Sequence, residues 1–227
     1  MPSAEEISAL AWQRVGDELV AGIHHALNNR SGALAAIAQV LEDSMGQDHP
    51  LRTAFAQEVE RLQTTVRSLR WLPRSRSGRP EPVDPRDMVS TAATLYHYHH
   101  AVRDTPLRVE TDAGVLPVWA EPVRLGHVVL GLMVAAGQVA RRSGATVRAG
   151  CSGDEEVVEI RIETVPAEVP PAWPLAEEGT APLPGSAMRG WAESLGGSLE
   201  MEEGDGCACF SLRLPTLPAV RRRERGS

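Results

Sequence analysis

No apolar run in this 227-residue chain is long and uninterrupted enough to span a bilayer, and its start lacks a basic segment followed by an apolar one. The expectation is a protein that meets no membrane and works in the cytoplasm. Cysteine is scarce: Cys151, Cys207 and Cys209 make neither an even disulfide framework nor a C-x-x-C metal pair. Cys207 and Cys209 fall on one face of a predicted strand, so packing is their expected role. Positive charge is also short. A formal net charge of −7 argues against general nucleic-acid binding, and Arg221-Arg222-Arg223 read as a solvated basic tail. What remains, 42% hydrophobic residues and 23% charged, is enough for one large or two small globular domains.

The chain divides by pattern. Ser3 with Glu6 three residues on forms a capping box, and a helical pattern then runs to about Met45. Gly46 to Pro50 breaks it, with Pro50 suited to the first position of a second helix that carries Leu51, Phe55, Val59, Leu62, Val66 and Leu69 at three- and four-residue steps. Two helices with a short loop make an antiparallel hairpin, and one hairpin cannot cover both of its apolar faces. A homodimer forming a four-helix bundle would cover them. The hairpin is placed at residues 1–73 and a Pro-, Arg- and Ser-rich linker at 74–82.

Residues 83–217 read as mixed. Helices are predicted at about Pro85 to Ala101, Pro122 to Ala140 and Ser186 to Leu195. Strands are predicted at Leu107 to Glu110, Pro117 to Trp119, Ala145 to Ala149, Glu156 to Thr164, Ser198 to Met201 and Cys207 to Leu214. That order suggests an α+β sandwich, one sheet covered by helices on one face. The apolar run Val128 to Val139 fits a core helix. Pro166 to Pro184 fits neither period and is expected to be a loosely packed loop, and 218–227 is left as a basic tail.

Within the first helix, Gly22-Ile23-His24-His25-Ala26-Leu27-Asn28-Asn29 stands out. At 100° per residue, Glu18, Ala21, Gly22, Asn28, Asn29, Gly32 and Ala36 fall within roughly 60° of His25. The large residues Leu19, Ile23, Leu27, Leu34, Ile37 and Leu41 centre on the far side. His25 is thereby set among small and polar neighbours, while His24 lies nearer the flank as a packing or hydrogen-bonding neighbour. The run Tyr96-His97-Tyr98-His99-His100 holds three histidines near a helix end, but without the converging spacing or the Cys and carboxylate company of a zinc site. No metal is expected there.

The His25 stretch resembles the H-box of sensor histidine kinases, G-x-x-H-E-[LI]-x-N, with His25 at the phosphoacceptor position. Trp119 to Leu125, Leu195-Gly196-Gly197-Ser198-Leu199-Glu200 and Cys209 to Pro215 are similar to segments of their GHKL (Bergerat) ATP-binding domain. The resemblance spans nearly the whole chain, in order. It implies a dimerising helical hairpin followed by a GHKL α/β sandwich.

Departures from that pattern matter as much. The N-box asparagines that serve Mg²⁺ and phosphate correspond to Gly131 and Ala135, which offer no side-chain oxygen. The D-x-G-x-G turn is replaced by Glu163-Thr164-Val165-Pro166-Ala167-Glu168, with no glycine to let backbone approach a ligand. Thr180 to Gly185 has one glycine and two prolines where a phosphate loop belongs. The acidic residue after the phosphoacceptor is Ala26. These losses imply a degenerate domain that binds no nucleotide or other cofactor. The expectation is a histidine phosphotransferase, similar to the ChpT-type proteins, that passes phosphate between response-regulator receiver domains through His25, with Asn29 as an auxiliary. Glu18, Ala21, Gly22, Asn28, Gly32 and Ala36 would form the partner face. The receiver would supply Mg²⁺, and an upstream hybrid histidine kinase is a further candidate partner. Two alternatives stand beside it: a non-catalytic pseudokinase scaffold, and an active but divergent kinase.

Overall fold

The computed structural model describes residues 4–43, 51–68, 79–166, 185–204 and 207–226. In chain order the elements are α1 (Ala4–Asp43), α2 (Leu51–Ser68), β1 (Glu81–Val83), α3 (Pro85–Tyr96), β2 (Leu107–Thr111), β3 (Val118–Ala120), α4 (Pro122–Ser143), β4 (Thr146–Gly153), β5 (Val157–Val165), α5 (Gly185–Ser194), β6 (Ser198–Gly204), β7 (Cys207–Pro215) and α6 (Leu217–Gly226). The capping box at Ser3, the break at 46–50 and the loop at 167–184 lie outside the described residues.

The fold is mixed α+β. Five strands form one sheet in the order β2-β4-β5-β7-β6, parallel only between β2 and β4. Leu107 lies opposite Val147, Thr146 opposite Val165, Val157 opposite Pro215, and Ser198 opposite Arg213. β5 shows why the sheet has a dry side and a wet side. Val158, Ile160, Ile162 and Thr164 are buried under the helices, while the alternate residues Glu159, Arg161 and Glu163 point outward.

Helix α4 lies between the sheet and α3, α5 and α1, and is buried on almost every side from Leu125 to Gln138. Its ends follow from the sequence. Glu121 caps it by accepting from the backbone N–H groups of Val123 and Arg124, Pro122 takes the first helical position, and Gly144 leaves it at φ 70°. Among the described residues it is the one helix long and apolar enough to cross a membrane, and most of it is enclosed by the protein. Asp84 caps α3 in the same way, accepting from Arg86 N at 2.9 Å.

Four expectations need correction. Helix α3 stops at Tyr96 rather than Ala101. Backbone bonds from His99 N to Tyr96 O, Val102 N to His99 O and Thr105 N to Val102 O tighten the chain to three-residue steps and bury Tyr96, His99, Val102 and Thr105 together. The linker loses its last residues, because Glu81–Val83 pairs antiparallel with β3, Pro82 opposite Trp119. Within the tail expected at 218–227, the described residues to Gly226 belong to α6. Thr216 Oγ1 accepts from Ala219 N, Ala219 is 1% exposed, and Arg222 donates to Glu155 O. Of the two cysteines assigned to packing, Cys207 is exposed and Cys209 half-buried; the packed one is Cys151.

The hairpin is also not separate from the α/β part. Val15, Leu19 and Ile23 of α1 are at most 2% exposed and belong to the same apolar core as α4, α5 and the sheet. Burying Leu19 and Ile23 stabilises by roughly 1.5–3 kcal/mol each. Further along, Leu27, Leu34, Ile37, Phe55, Val59 and Leu62 are only half-buried, and Val66 is 50% exposed.

Candidate phosphoacceptor site

His25 sits just past the middle of α1 with its ring exposed. One turn on, the Asn29 amide nitrogen lies 3.1 Å from His25 Nε2. An amide nitrogen can only donate, so Nε2 is the acceptor and the ring proton resides on Nδ1. In that arrangement the lone pair of Nε2, the nucleophilic electron pair, is engaged by Asn29 and must leave that bond to attack. The same spacing repeats one residue earlier, where Asn28 Nδ2 lies 3.4 Å from His24 Nδ1. His24 is exposed and hydrogen-bonded to Asn28, in keeping with a hydrogen-bonding neighbour rather than a packed one.

Asn28, Gly32 and Ala36 are exposed, and a Cβ at Gly32 would meet nothing within 4 Å. The side chains of Glu18 and Ala21 lie outside the described residues. Gly22 departs from the expected open face. A Cβ there would lie 1.5 Å from the carbonyl oxygen of Tyr98, so the absence of a side chain at Gly22 admits the loop after α3 rather than another protein. Tyr98 is held from its other end as well, its hydroxyl 2.9 Å from Thr65 Oγ1 on α2.

This docking walls one side of His25. A cleft of about 380 Å³ opens beside it, floored by Ala26, Asn29 and Arg30 of α1 and flanked by Glu58 and Arg61 of α2 and by His97, Tyr98 and Arg103 of the loop. Glu58 ties the helices together, 3.0 Å from Arg30 and 3.4 Å from Arg61. None of the arginines is signalled by the sequence pattern, because they converge from three separate segments. The histidine run, considered for a metal, sends His97 and His100 to the surface and His99 to the interior. Among the described residues no three His, Cys, Asp or Glu side chains gather as a metal site.

The positions set against the N-box lie in the packed middle of α4. Gly131 is buried, and a Cβ there would come 2.7 Å from the Trp191 ring of α5. Ala135 is 3% exposed, and Leu132, Met133, Val134 and Ala136 are buried with it. At the end of β5, Thr164 is spent on the neighbouring strand, its hydroxyl accepting from Ala208 N at 2.9 Å. Glu163 faces the opposite side of the sheet, where Arg148 and Arg161 both reach it.

The sensor histidine kinase ZraS of Salmonella typhi is 25% identical over 213 residues, covering 88% of this chain and 45% of its own length. This chain is histidine-kinase-like. ZraS of Klebsiella oxytoca is likewise 25% identical, over 221 residues, covering 92% of this chain and 47% of its own. The chain therefore spans a little under half the length of the curated relatives it matches. No protein-family model matches it. A solved histidine kinase from Burkholderia phymatum aligns over 90% of this chain and 97% of its own, at 16% identity and a TM-score of 0.48.

Proposed function

We propose that this histidine-kinase-like chain is a histidine phosphotransferase that relays phosphate between receiver domains of response regulators through His25, without binding ATP itself. The observation that supports it is a contrast within one molecule. The phosphoacceptor ring is exposed, with Nε2 held in hydrogen-bond contact with Asn29, whereas the positions that would serve a nucleotide, Gly131 and Ala135, are oxygen-free and buried, Gly131 against Trp191. Phosphoryl transfer asks the protein mainly for an in-line nucleophile and for charge neutralisation. An aspartyl-phosphate receiver brings its own acidic pocket and Mg²⁺, so the histidine partner needs only to present the ring. Asn28, Gly32 and Ala36 form the open part of the receiver-facing surface. The half-buried stripe Leu34, Ile37, Phe55, Val59 and Leu62 is the face on which a second copy would close the bundle.

The second reading is a pseudokinase scaffold that binds a receiver or kinase without transfer. Ala26 favours it, since no carboxylate follows His25 to take the ring proton. Incubation of the purified chain first with labelled ATP and Mg²⁺, then with a panel of phosphorylated receiver domains, separates the readings, with His25→Ala as the blank. Label is expected only from a receiver and only with His25 present. Direct labelling by ATP would restore the kinase reading, and a receiver that binds but never passes its label would leave the scaffold. Light scattering at micromolar concentration is expected to give twice the 24.5 kDa chain mass.

A further inference from the structure

The cleft beside His25 is unusual in its charge. Three guanidinium groups line it, from Arg30, Arg61 and Arg103, against the single carboxylate of Glu58. Glu58 is already shared between Arg30 and Arg61, so the pair it makes with both cannot cancel their charge. Arg30 also carries a buried Nε with no hydrogen-bond partner among the described residues. Such a donor is costly to leave unmade, and it adds to the unbalanced positive charge on this side of the cleft. The third arginine, Arg103, belongs to the α/β part. It lies five residues beyond the loop carbonyl packed on Gly22, on the turn closed by its own N–H to His99 O, so the Tyr98 contact fixes where it stands. Its ion pair with Asp104, at 3.6 Å, is long and exposed on both sides and leaves the guanidinium fork free to take a second acceptor.

We infer that this cleft is an oxyanion cradle for the phosphoryl group on His25 Nε2, with Arg103 of the α/β part and Arg61 of α2 as its counter-ions. The inference rests on His25 as the phosphate carrier. It gives the α/β part a positioning role at the transfer site: docking of the Tyr98 loop brings Arg103 to the phosphorus. In the step itself, the Nε2 lone pair, released by Asn29, forms a bond to phosphorus while the bond from phosphorus to the donor's leaving atom breaks. The ring is cationic once Nε2 is phosphorylated and becomes neutral as its Nδ1 proton passes to solvent, and the three phosphoryl oxygens, which carry the negative charge throughout, face the guanidiniums. Arginine suits this because its planar fork can engage two of those oxygens at once.

Phosphoramidate tests the cradle without any receiver. His25 Nε2 takes its phosphoryl group as the P–N bond of the reagent breaks and ammonia departs. The rate of phosphohistidine formation in the full chain is measured by ³¹P NMR, with His25→Ala as the blank. Arg103→Gln and Arg61→Gln are each expected to label roughly three- to tenfold more slowly, and Arg103→Lys to recover only part of the loss, keeping the charge without the fork. Both arginines are well exposed, so circular dichroism of the variants should match the parent. Equal rates for parent and both Gln variants would overturn the cradle, as would a parent chain that takes no label at His25. If labelling depends on Arg103 yet no phosphorylated receiver exchanges with His25, the cradle stands and the relay function fails.

Discussion

At the scale of single residues, Gly22 and Asn29 do different work one on each side of His25. Gly22 is a contact made by absence. Glycine to alanine inside a helix normally gains about 1 kcal/mol, but here the added methyl would run into the Tyr98 carbonyl. Gly22→Ala is expected to destabilise by about 1–2 kcal/mol net, as overpacking outweighs propensity. A urea titration showing the variant more stable than the parent would mean the loop is not seated there. Asn29 acts on the ring instead. In the parent, ¹⁵N-resolved NMR should report the Nδ1–H tautomer of His25. Asn29→Ala should shift it toward Nε2–H and slow transfer about fivefold, the worth of one hydrogen bond. An unchanged tautomer would reduce Asn29 to a solvated neighbour. Both residues stand in the sequence stretch that drew attention first, yet only Asn29 has its auxiliary part readable there, from the i, i+4 spacing. The partner of Gly22 is 76 positions away and no periodicity points to it.

At the scale of elements, β4, β5 and β7 show how the outer face of a sheet is kept in water. Glu163 stands between Arg148 and Arg161. Burial alone would raise its carboxyl, but the two arginines outweigh that and hold it below the ordinary carboxylate range. A depressed folded-state value contributes stability that is present above the unfolded value of about 4.3 and is lost as pH falls through the folded one. Glu163→Gln should therefore cost about 1 kcal/mol near neutral pH after solvent screening, and the gap between parent and variant should close below about pH 4. A gap that persists in acid would assign the loss to packing. Element boundaries were legible where local chemistry sets them: Pro85 and Pro122 announce helix starts, while the end expected at Ala140 comes at Ser143, before Gly144. The stop of α3 at Tyr96 was not legible, because its cause is the shared burial of Tyr96, His99, Val102 and Thr105. Nor was α6: Arg221 to Arg223 are exposed as expected, but the helix they stand on is anchored by Thr216 and Arg222 on Glu155.

At the scale of the molecule, the joint core of hairpin and α/β part has a thermodynamic consequence. Val15, Leu19 and Ile23 make α1 a layer of the larger domain as well as half of a hairpin. Leu19→Ala is expected to cost about 2–5 kcal/mol, and calorimetry should show one cooperative transition that moves as a whole. Two resolved transitions, with only one shifted, would return the hairpin to independence. The sequence by itself determined the helix containing His25, the α+β order of the rest, and the loss of oxygen ligands at Gly131 and Ala135, because these depend on residue type and on spacing within one element. Only the tertiary structure decided that Gly22 faces Tyr98, that Trp191 covers Gly131, and that Arg30, Arg61 and Arg103 converge beside His25. Those are meetings between segments far apart in the chain, set by how whole elements pack, and local pattern carries no information about them.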